Sequence, residues 1–207
     1  MKKKSSKKDC PSYLSIIFLV AVFAFVLVAS FSLRELKNEV NDLDAESQAI
    51  AYAQLSSDVT QRPKSLQPAK MQMRLSDTIR GIEFNPAVST TDVKILHDGV
   101  YFLMAAPQVG RLNPDPDEDH PACSNFFFAV NSQPVPNSNV SLCHRDPLAK
   151  DVIITQNVVP LRAGDEVSVM IATTDPEIGI GVESIAREDQ PVVPSLIFSM
   201  FRIGKIR

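Results

Sequence analysis

The sequence predicts an all-β sandwich or barrel domain that follows one N-terminal apolar helix. Residues 13–33 contain no charged side chain. After residue 70, short runs rich in β-branched and aromatic residues alternate with turns rich in Pro, Gly and Asn. No long helical pattern interrupts these runs, as is typical of all-β domains. We therefore expect a C-terminal head built of antiparallel strands.

The apolar segment 13–33 is long enough to cross a bilayer as a helix, because its 21 residues rise about 30 Å. Lysines precede it at positions 2, 3, 4, 7 and 8, and basic flanks stay on the cytoplasmic side. The sequence thus predicts a cytoplasmic tail over 1–12, a single transmembrane anchor over 13–33 and an extracytoplasmic C-terminal domain. The alternative is a signal cleaved near Ser30, which would make the rest of the chain secreted.

Charge is distributed unevenly along the chain. Residues 1–33 carry a net charge of +4 and residues 34–207 carry −7, which together give the total of −3. A basic face is what nucleic-acid binding needs. An acidic exported part therefore argues against a nucleic-acid partner.

The three cysteines lie in two settings. Cys10 is next to the anchor on its cytoplasmic side, where it is a lipidation candidate or a free thiol without a role. Cys123 and Cys143 lie in the exported part, where disulfides persist, and are candidates for a disulfide with each other.

Residues 34–59 contain no Gly or Pro and predict a short helical stalk. Apolar residues follow a heptad pattern in its first part, so we expect a coiled coil or, alternatively, an amphipathic helix packed on its own domain. Heptad positions a and d are Leu33, Val40, Ser47 and Gln54, and Leu36, Leu43, Ile50 and Ser57. Residues 60–70 hold two prolines and predict a linker, which assigns 71–207 to the head.

The head contains six predicted strands. They are Val93–Leu96, Val100–Met104, Phe126–Val130, Asp151–Val159, Glu166–Ala172 and Leu196–Ile203. Apolar and polar side chains alternate clearly in Glu166–Ala172 and Leu196–Ile203, as in strands with one buried face, whereas Phe126–Phe128 is continuously apolar and indicates a strand covered on both faces.

Three elements of the head occur in a recognisable order. They are Gly99-Val100-Tyr101-Phe102, then Leu161-Arg162-Ala163-Gly164-Asp165 before an alternating strand, then the terminal apolar run SLIFSMFRIGKI. In these features the chain resembles a distant member of the jelly-roll superfamily of the complement subcomponent q globular head and tumour necrosis factor ligands. The resemblance implies a jelly-roll head and a homotrimer. The ligand branch of that family has the same layout of tail, anchor, stalk and head.

Residue patterns for catalysis are missing from the sequence, so we expect no enzyme, no catalytic residue and no organic cofactor. Asp115, Asp117, Glu118 and Asp119 form an acidic cluster that is either a calcium site or a solvated loop tip. It is not an EF-hand, because His120 stands where that loop needs Gly. Asn139 opens the sequence Asn-Val-Ser and is a glycosylation candidate.

Together these features predict a single-pass membrane protein that presents a trimeric jelly-roll head to a protein or glycan partner outside the membrane. The alternative is a structural subunit of a cell-envelope or particle-surface assembly.

Overall fold

The computed structural model describes residues 13–48, 50–111, 122–144, 146, 149–176 and 180–206. Within them the chain forms one helix and sixteen strands. In chain order these are α1 Tyr13–Gln48, β1 Tyr52–Ser57, β2 Ala69–Lys70, β3 Leu75–Arg80, β4 Ile82–Glu83, β5 Val93–Ile95, β6 Gly99–Arg111, β7 Ala122–Val130, β8 Gln133–Pro134, β9 Val140–His144, β10 Lys150–Val152, β11 Thr155–Leu161, β12 Glu166–Thr173, β13 Ile180–Val182, β14 Ile185–Arg187, β15 Gln190–Val193 and β16 Leu196–Gly204. The chain divides into two compact units, the first ending at Gln48.

The first unit contains α1, a continuous helix of 36 residues. No Pro or Gly interrupts this stretch, and its apolar side chains Phe18, Phe25 and Phe31 are exposed. In the part of the chain that the structure describes, no helix combines the length and the apolar character needed to cross a membrane. The anchor over 13–33 stays a prediction.

The predicted helical stalk over 34–59 is wrong in its second part. The helix ends at Gln48, and β1 begins at Tyr52. Ala53 and Leu55 of β1 are buried in the core, whereas Tyr52 and Gln54 point outward. This period of two fits a strand paired on both sides, with β16 and with β3, and these pairings override the helix propensity of Ala, Gln and Leu.

The predicted linker over 60–70 belongs to the second unit. Gln61 and Val182 exchange two backbone hydrogen bonds of 2.8 and 2.9 Å, and β2 pairs with β12. The head therefore includes β1 and begins well before residue 71.

Two antiparallel sheets of seven strands each form the head. The first has the order β3-β1-β16-β6, with β13 also paired to β6 beyond the end of β16, and β6 pairs on its other side with β11 and then with β10. The second has the order β4-β5-β12-β7-β8, with β2 also paired to β12 and β9 also paired to β7. Each of the six predicted strands is present, although 151–159 is divided between β10 and β11.

The core lies between the two sheets. Tyr101, Leu103 and Ala105 alternate along β6 with less buried residues. Phe128 of β7 and Phe198 of β16 meet across the sandwich with their ring centroids 6.0 Å apart. The head is therefore an all-β sandwich, as predicted, and its two packed antiparallel sheets fit a jelly roll.

Candidate functional site

The outer face of the first sheet carries a row of apolar side chains that crosses four strands. Tyr52 of β1 lies opposite Phe201 of β16, Phe201 lies opposite Phe102 of β6, and Phe102 lies opposite Val158 of β11. Directly opposite residues on neighbouring strands share a face. These four side chains, called here the apolar row, form one continuous line.

The apolar row is open to solvent. The exposed fractions of Tyr52, Phe201 and Val158 are 37%, 45% and 52%, and Phe102 is half-buried. The rings of Phe102 and Phe201 have centroids 5.0 Å apart and planes tilted by 32°, a favourable arrangement for an aromatic pair. The pair lies in the middle of the row and leaves much of it uncovered.

The neighbouring cross-strand row on the same face is mostly polar. Gln54, Ser199, Met104 and Gln156 lie opposite one another in turn on the same four strands. Met104 is the one large apolar side chain among them. The exposed apolar surface here is therefore a defined strip rather than a general property of the sheet.

The Gly-x-Tyr element holds the start of β6, the strand that contributes Phe102. Tyr101 is fully buried, and its hydroxyl donates to the His97 carbonyl at 2.8 Å. Burial raises the pKa of Tyr101; the charge of Arg202 opposes this rise and that of Asp98 adds to it. The phenol therefore stays protonated as a donor at physiological pH.

The Leu-x-x-Gly-Asp element forms the turn between β11 and β12. Gly164 has a φ of 94°, a conformation that glycine adopts most easily. The carboxylate of Asp165 accepts hydrogen bonds from the Arg162 amide at 2.7 Å and from Asn131 Nδ2 at 2.8 Å. Asp165 thus ties this turn to the turn between β7 and β8. Like Tyr101, it has an architectural role.

Asp92 and Lys70 form an ion pair on the second sheet. Lys70 Nζ lies 2.5 Å from Asp92 Oδ1, and the Thr91 hydroxyl donates to Oδ2 at 2.7 Å. Partial burial by itself would raise the pKa of Asp92, but the hydrogen bonds from Lys70 and Thr91 outweigh it and hold the pKa below its ordinary value. The pair anchors β2 beside the start of β5.

The structure joins the two cysteines of the head. Cys123 of β7 and Cys143 of β9 are directly opposite each other in the sheet, and their sulfur atoms form a disulfide. The bond attaches β9 to the interior of the second sheet. Cys143 is exposed and Cys123 is half-buried.

Two sets of predicted site residues lie outside the described residues. They are the lipidation candidate Cys10 and the acidic cluster Asp115, Asp117, Glu118 and Asp119. Among the residues that the structure describes, no group of three or more His, Cys, Asp or Glu side chains could hold a metal ion. Calcium binding by the acidic cluster stays a prediction.

The glycosylation candidate Asn139 is exposed and lies just before β9. Together with Phe127, Pro134 and Val135 it lines an open, shallow cavity of about 210 Å³. This cavity is on the second sheet.

Sequence reasoning did not identify the apolar row. Its members come from four strands at positions 52, 102, 158 and 201, and only the register of the sheet brings them together. A partial signal exists in Leu196–Ile203. One face of this strand packs in the core, yet the outward residues Ile197, Phe201 and Ile203 are also apolar. Outward apolar residues on a strand are the pattern expected of an interface.

The head is an all-β sandwich whose two antiparallel sheets fit a jelly roll. Among solved structures, the chain is similar to murine APRIL, with 11% sequence identity and a TM-score of 0.43 over 74% of this chain and 99% of that chain. It is also similar to the globular domain of zebrafish complement 1qA protein, with 14% identity and a TM-score of 0.48 over 76% of this chain and 99% of that chain.

One of these structures is a tumour necrosis factor ligand and the other is a complement head. At this level of identity the likeness concerns the fold alone. No family model and no curated protein matches the sequence.

Proposed function

We propose that the chain is a membrane-anchored recognition protein whose head associates into a homotrimer outside the membrane and binds a protein or glycan partner. The observation that carries this proposal is the apolar row. Partner recognition by exposed parts of a rigid β scaffold needs no catalytic group. Three identical heads would increase the avidity for a partner without any new contact.

The apolar row supports association between copies of the chain. A strip of two exposed aromatic rings and one exposed Val, next to a polar row, has the pattern of an interface centre with a polar surround. Aromatic side chains also dominate the binding energy of many interfaces. Covering the strip with another copy would remove it from water and make association favourable.

Helix α1 gives a second reason for association. Leu33, Leu36 and Val40 occupy heptad positions of this one continuous helix, and all three are exposed. Paired helices of this kind would hold the heads together at a high effective concentration, so that a weak head interface becomes sufficient. The uncharged segment 13–33 and the lysines before it support an anchor at the start of the same helix.

The first test is the mass of residues 34–207 at micromolar concentration, measured by sedimentation. We expect a species of three chains. Phe201→Ser together with Val158→Ser should shift it to monomer, because both substitutions place hydroxyls in the apolar row. Val192→Ser is the matched control, since Val192 is 48% exposed on the separate hairpin β14–β15. A wild-type monomer would contradict the proposal.

The second test asks whether the trimer recognises a partner. The soluble head is applied to cells and to glycan arrays, and saturable binding that needs the trimer is the expected result. A stable trimer that binds neither, and instead assembles into larger arrays, would favour a structural subunit.

A further inference from the structure

The outer face of the second sheet places the sequon of the chain beside an aromatic side chain. Phe126 of β7 lies opposite Val140 of β9, so continuing the same register places Phe127 opposite Asn139. Both residues line the shallow cavity of about 210 Å³, whose other lining residues are Pro134 and Val135. One polar side chain therefore stands beside a small, open, apolar depression.

We propose that Asn139 carries an N-linked glycan whose first N-acetylglucosamine packs on Phe127 in this cavity. The inference rests on the export of the head that is part of the proposed function. It adds a modification site and names the aromatic side chain that holds the sugar.

Asn139 and Ser141 are both accessible and belong to the same face. The two residues are two positions apart, and successive side chains of a strand alternate between faces. Both are exposed, whereas Val140 between them is half-buried. Val at the middle position satisfies the Asn-x-Ser rule, and Asn139 is the only Asn of the chain in such a sequence. An N-linked glycan found on the chain would therefore be attached to Asn139.

Phe127 offers a surface that suits the sugar. Its neighbours Phe126 and Phe128 point into the core and are fully buried, whereas Phe127 points outward and is half-buried. The apolar face of a hexose can cover an aromatic ring, and burial of that ring is favourable. A glycan at Asn139 would thus cover apolar surface that the described residues leave open.

The glycan would not compete with association of the head. The apolar row lies on the outer face of the first sheet, whereas Asn139 and Phe127 lie on the outer face of the second. Two packed sheets turn their outer faces in opposite directions. The proposed modification and the proposed trimer are therefore compatible.

The chemical step uses a lipid-linked pyrophosphate oligosaccharide as co-reactant. A bond forms between Asn139 Nδ2 and C1 of the first N-acetylglucosamine. The bond between C1 and the pyrophosphate oxygen breaks, and the lipid pyrophosphate leaves with that electron pair. Nδ2 gives up one proton, and nothing is oxidised or reduced.

The acceptor site is tested by translating the full chain with endoplasmic reticulum microsomes. We expect a protease-protected product whose mobility increases after treatment with peptide N-glycosidase. Asn139→Gln and Ser141→Ala should abolish this change, and Asn125→Gln, on the same outer face but outside a sequon, should leave it intact. A protected but unmodified product overturns the site alone. If the protease digests the product, the head was not exported, and the proposed glycosylation fails for that reason. The absence of a protected fragment distinguishes this outcome from an exported but unmodified head.

The packing of the sugar is tested on the purified glycoprotein. The glycan is trimmed to one N-acetylglucosamine in one sample and removed in another. The thermal unfolding midpoint of both samples is then measured. We expect the single sugar to raise the melting midpoint by about 2–4 °C, the shift that an ordinary contact gives in a domain of this size. Phe127→Leu, which keeps the site apolar, should abolish that shift while the glycan remains attached. An equal shift in both backgrounds overturns the role of Phe127.

Discussion

The side chain of Arg202 lies directly over the backbone of Gly99. A Cβ atom at position 99 would be 2.8 Å from Arg202 Cδ and 2.9 Å from Cγ, closer than such atoms approach one another. Arg202 Nε donates to the Asp98 carbonyl at 2.9 Å. The glycine of the Gly-x-Tyr element therefore makes room for a contact between the start of β6 and the last strand.

Substitution of Gly99 by Ala tests this contact. The new methyl group would displace Arg202 and break its hydrogen bond to Asp98, so we expect the free energy of unfolding to fall by about 1–3 kcal/mol. Urea denaturation monitored by circular dichroism gives the change. Gly204→Ala is the matched control, because no atom lies within 4 Å of a Cβ at that position. Equal losses in both variants would contradict the explanation.

The turn contact between Asn131 and Asp165 should behave as one coupled unit. Asp165→Ala removes acceptors from Asn131 Nδ2 and from the Arg162 amide. Asn131→Gly keeps a residue that tolerates the φ of 51° at that position. We expect each variant to lose about 1–2 kcal/mol, and the double variant to lose clearly less than the sum. Strict additivity in urea denaturation would show that the two side chains do not stabilise each other.

The sequence was sufficient to predict those strands whose local residue pattern agrees with their pairing in the sheet. β12 and β16 alternate apolar and polar side chains and lie where they were predicted, whereas β6 continues from its predicted end at Met104 to Arg111. β1 was missed because Ala53, Gln54 and Leu55 favour helix in isolation, and only pairing with β16 and β3 makes them a strand. Local propensity cannot reveal pairing with a strand about 145 residues away in the chain.

The candidate site could be predicted only in part for a related reason. The spacing of Cys123 and Cys143 pointed to a disulfide, because two segments near in sequence can pair as neighbouring strands. Tyr52 and Phe201 instead become neighbours through the sheet register, which is a property of the whole fold. A slip of one residue would turn either side chain into the core, so the outward apolar residues of β16 could point to an interface but could not identify the other members of the row.

Asp92 is expected to stabilise the head in a pH-dependent manner. Its pKa in the folded chain lies below the ordinary value of 3.8, since the Lys70 and Thr91 hydrogen bonds outweigh partial burial. The folded state then binds fewer protons than the unfolded state near this pH. The stabilisation is therefore complete above the ordinary value and is lost as the pH falls through the lowered folded value.

Asp92→Asn tests this dependence. Urea denaturation should show a deficit in free energy of unfolding near neutral pH that narrows as the pH falls below the ordinary Asp value of 3.8. Asp58→Asn is the control, because Asp58 pairs with Arg74 at 3.7 Å with both side chains well exposed, and such pairs contribute little. A deficit that stays constant down to about pH 2 would show that the ionisation of Asp92 is not its source.

Removing the disulfide should destabilise the second sheet from its β9 edge. Cys123→Ser with Cys143→Ser opens a loop of sequence separation 20, which is expected to cost about 3 kcal/mol because the unfolded chain regains entropy. The measurement is urea denaturation with and without reductant in a Cys10→Ser background, so that no other thiol reacts. Reductant should lower the midpoint of the parent and leave the double variant unchanged. A parent midpoint that does not respond, together with two titratable thiols in the oxidised sample, would mean that the two cysteines are not bonded in solution.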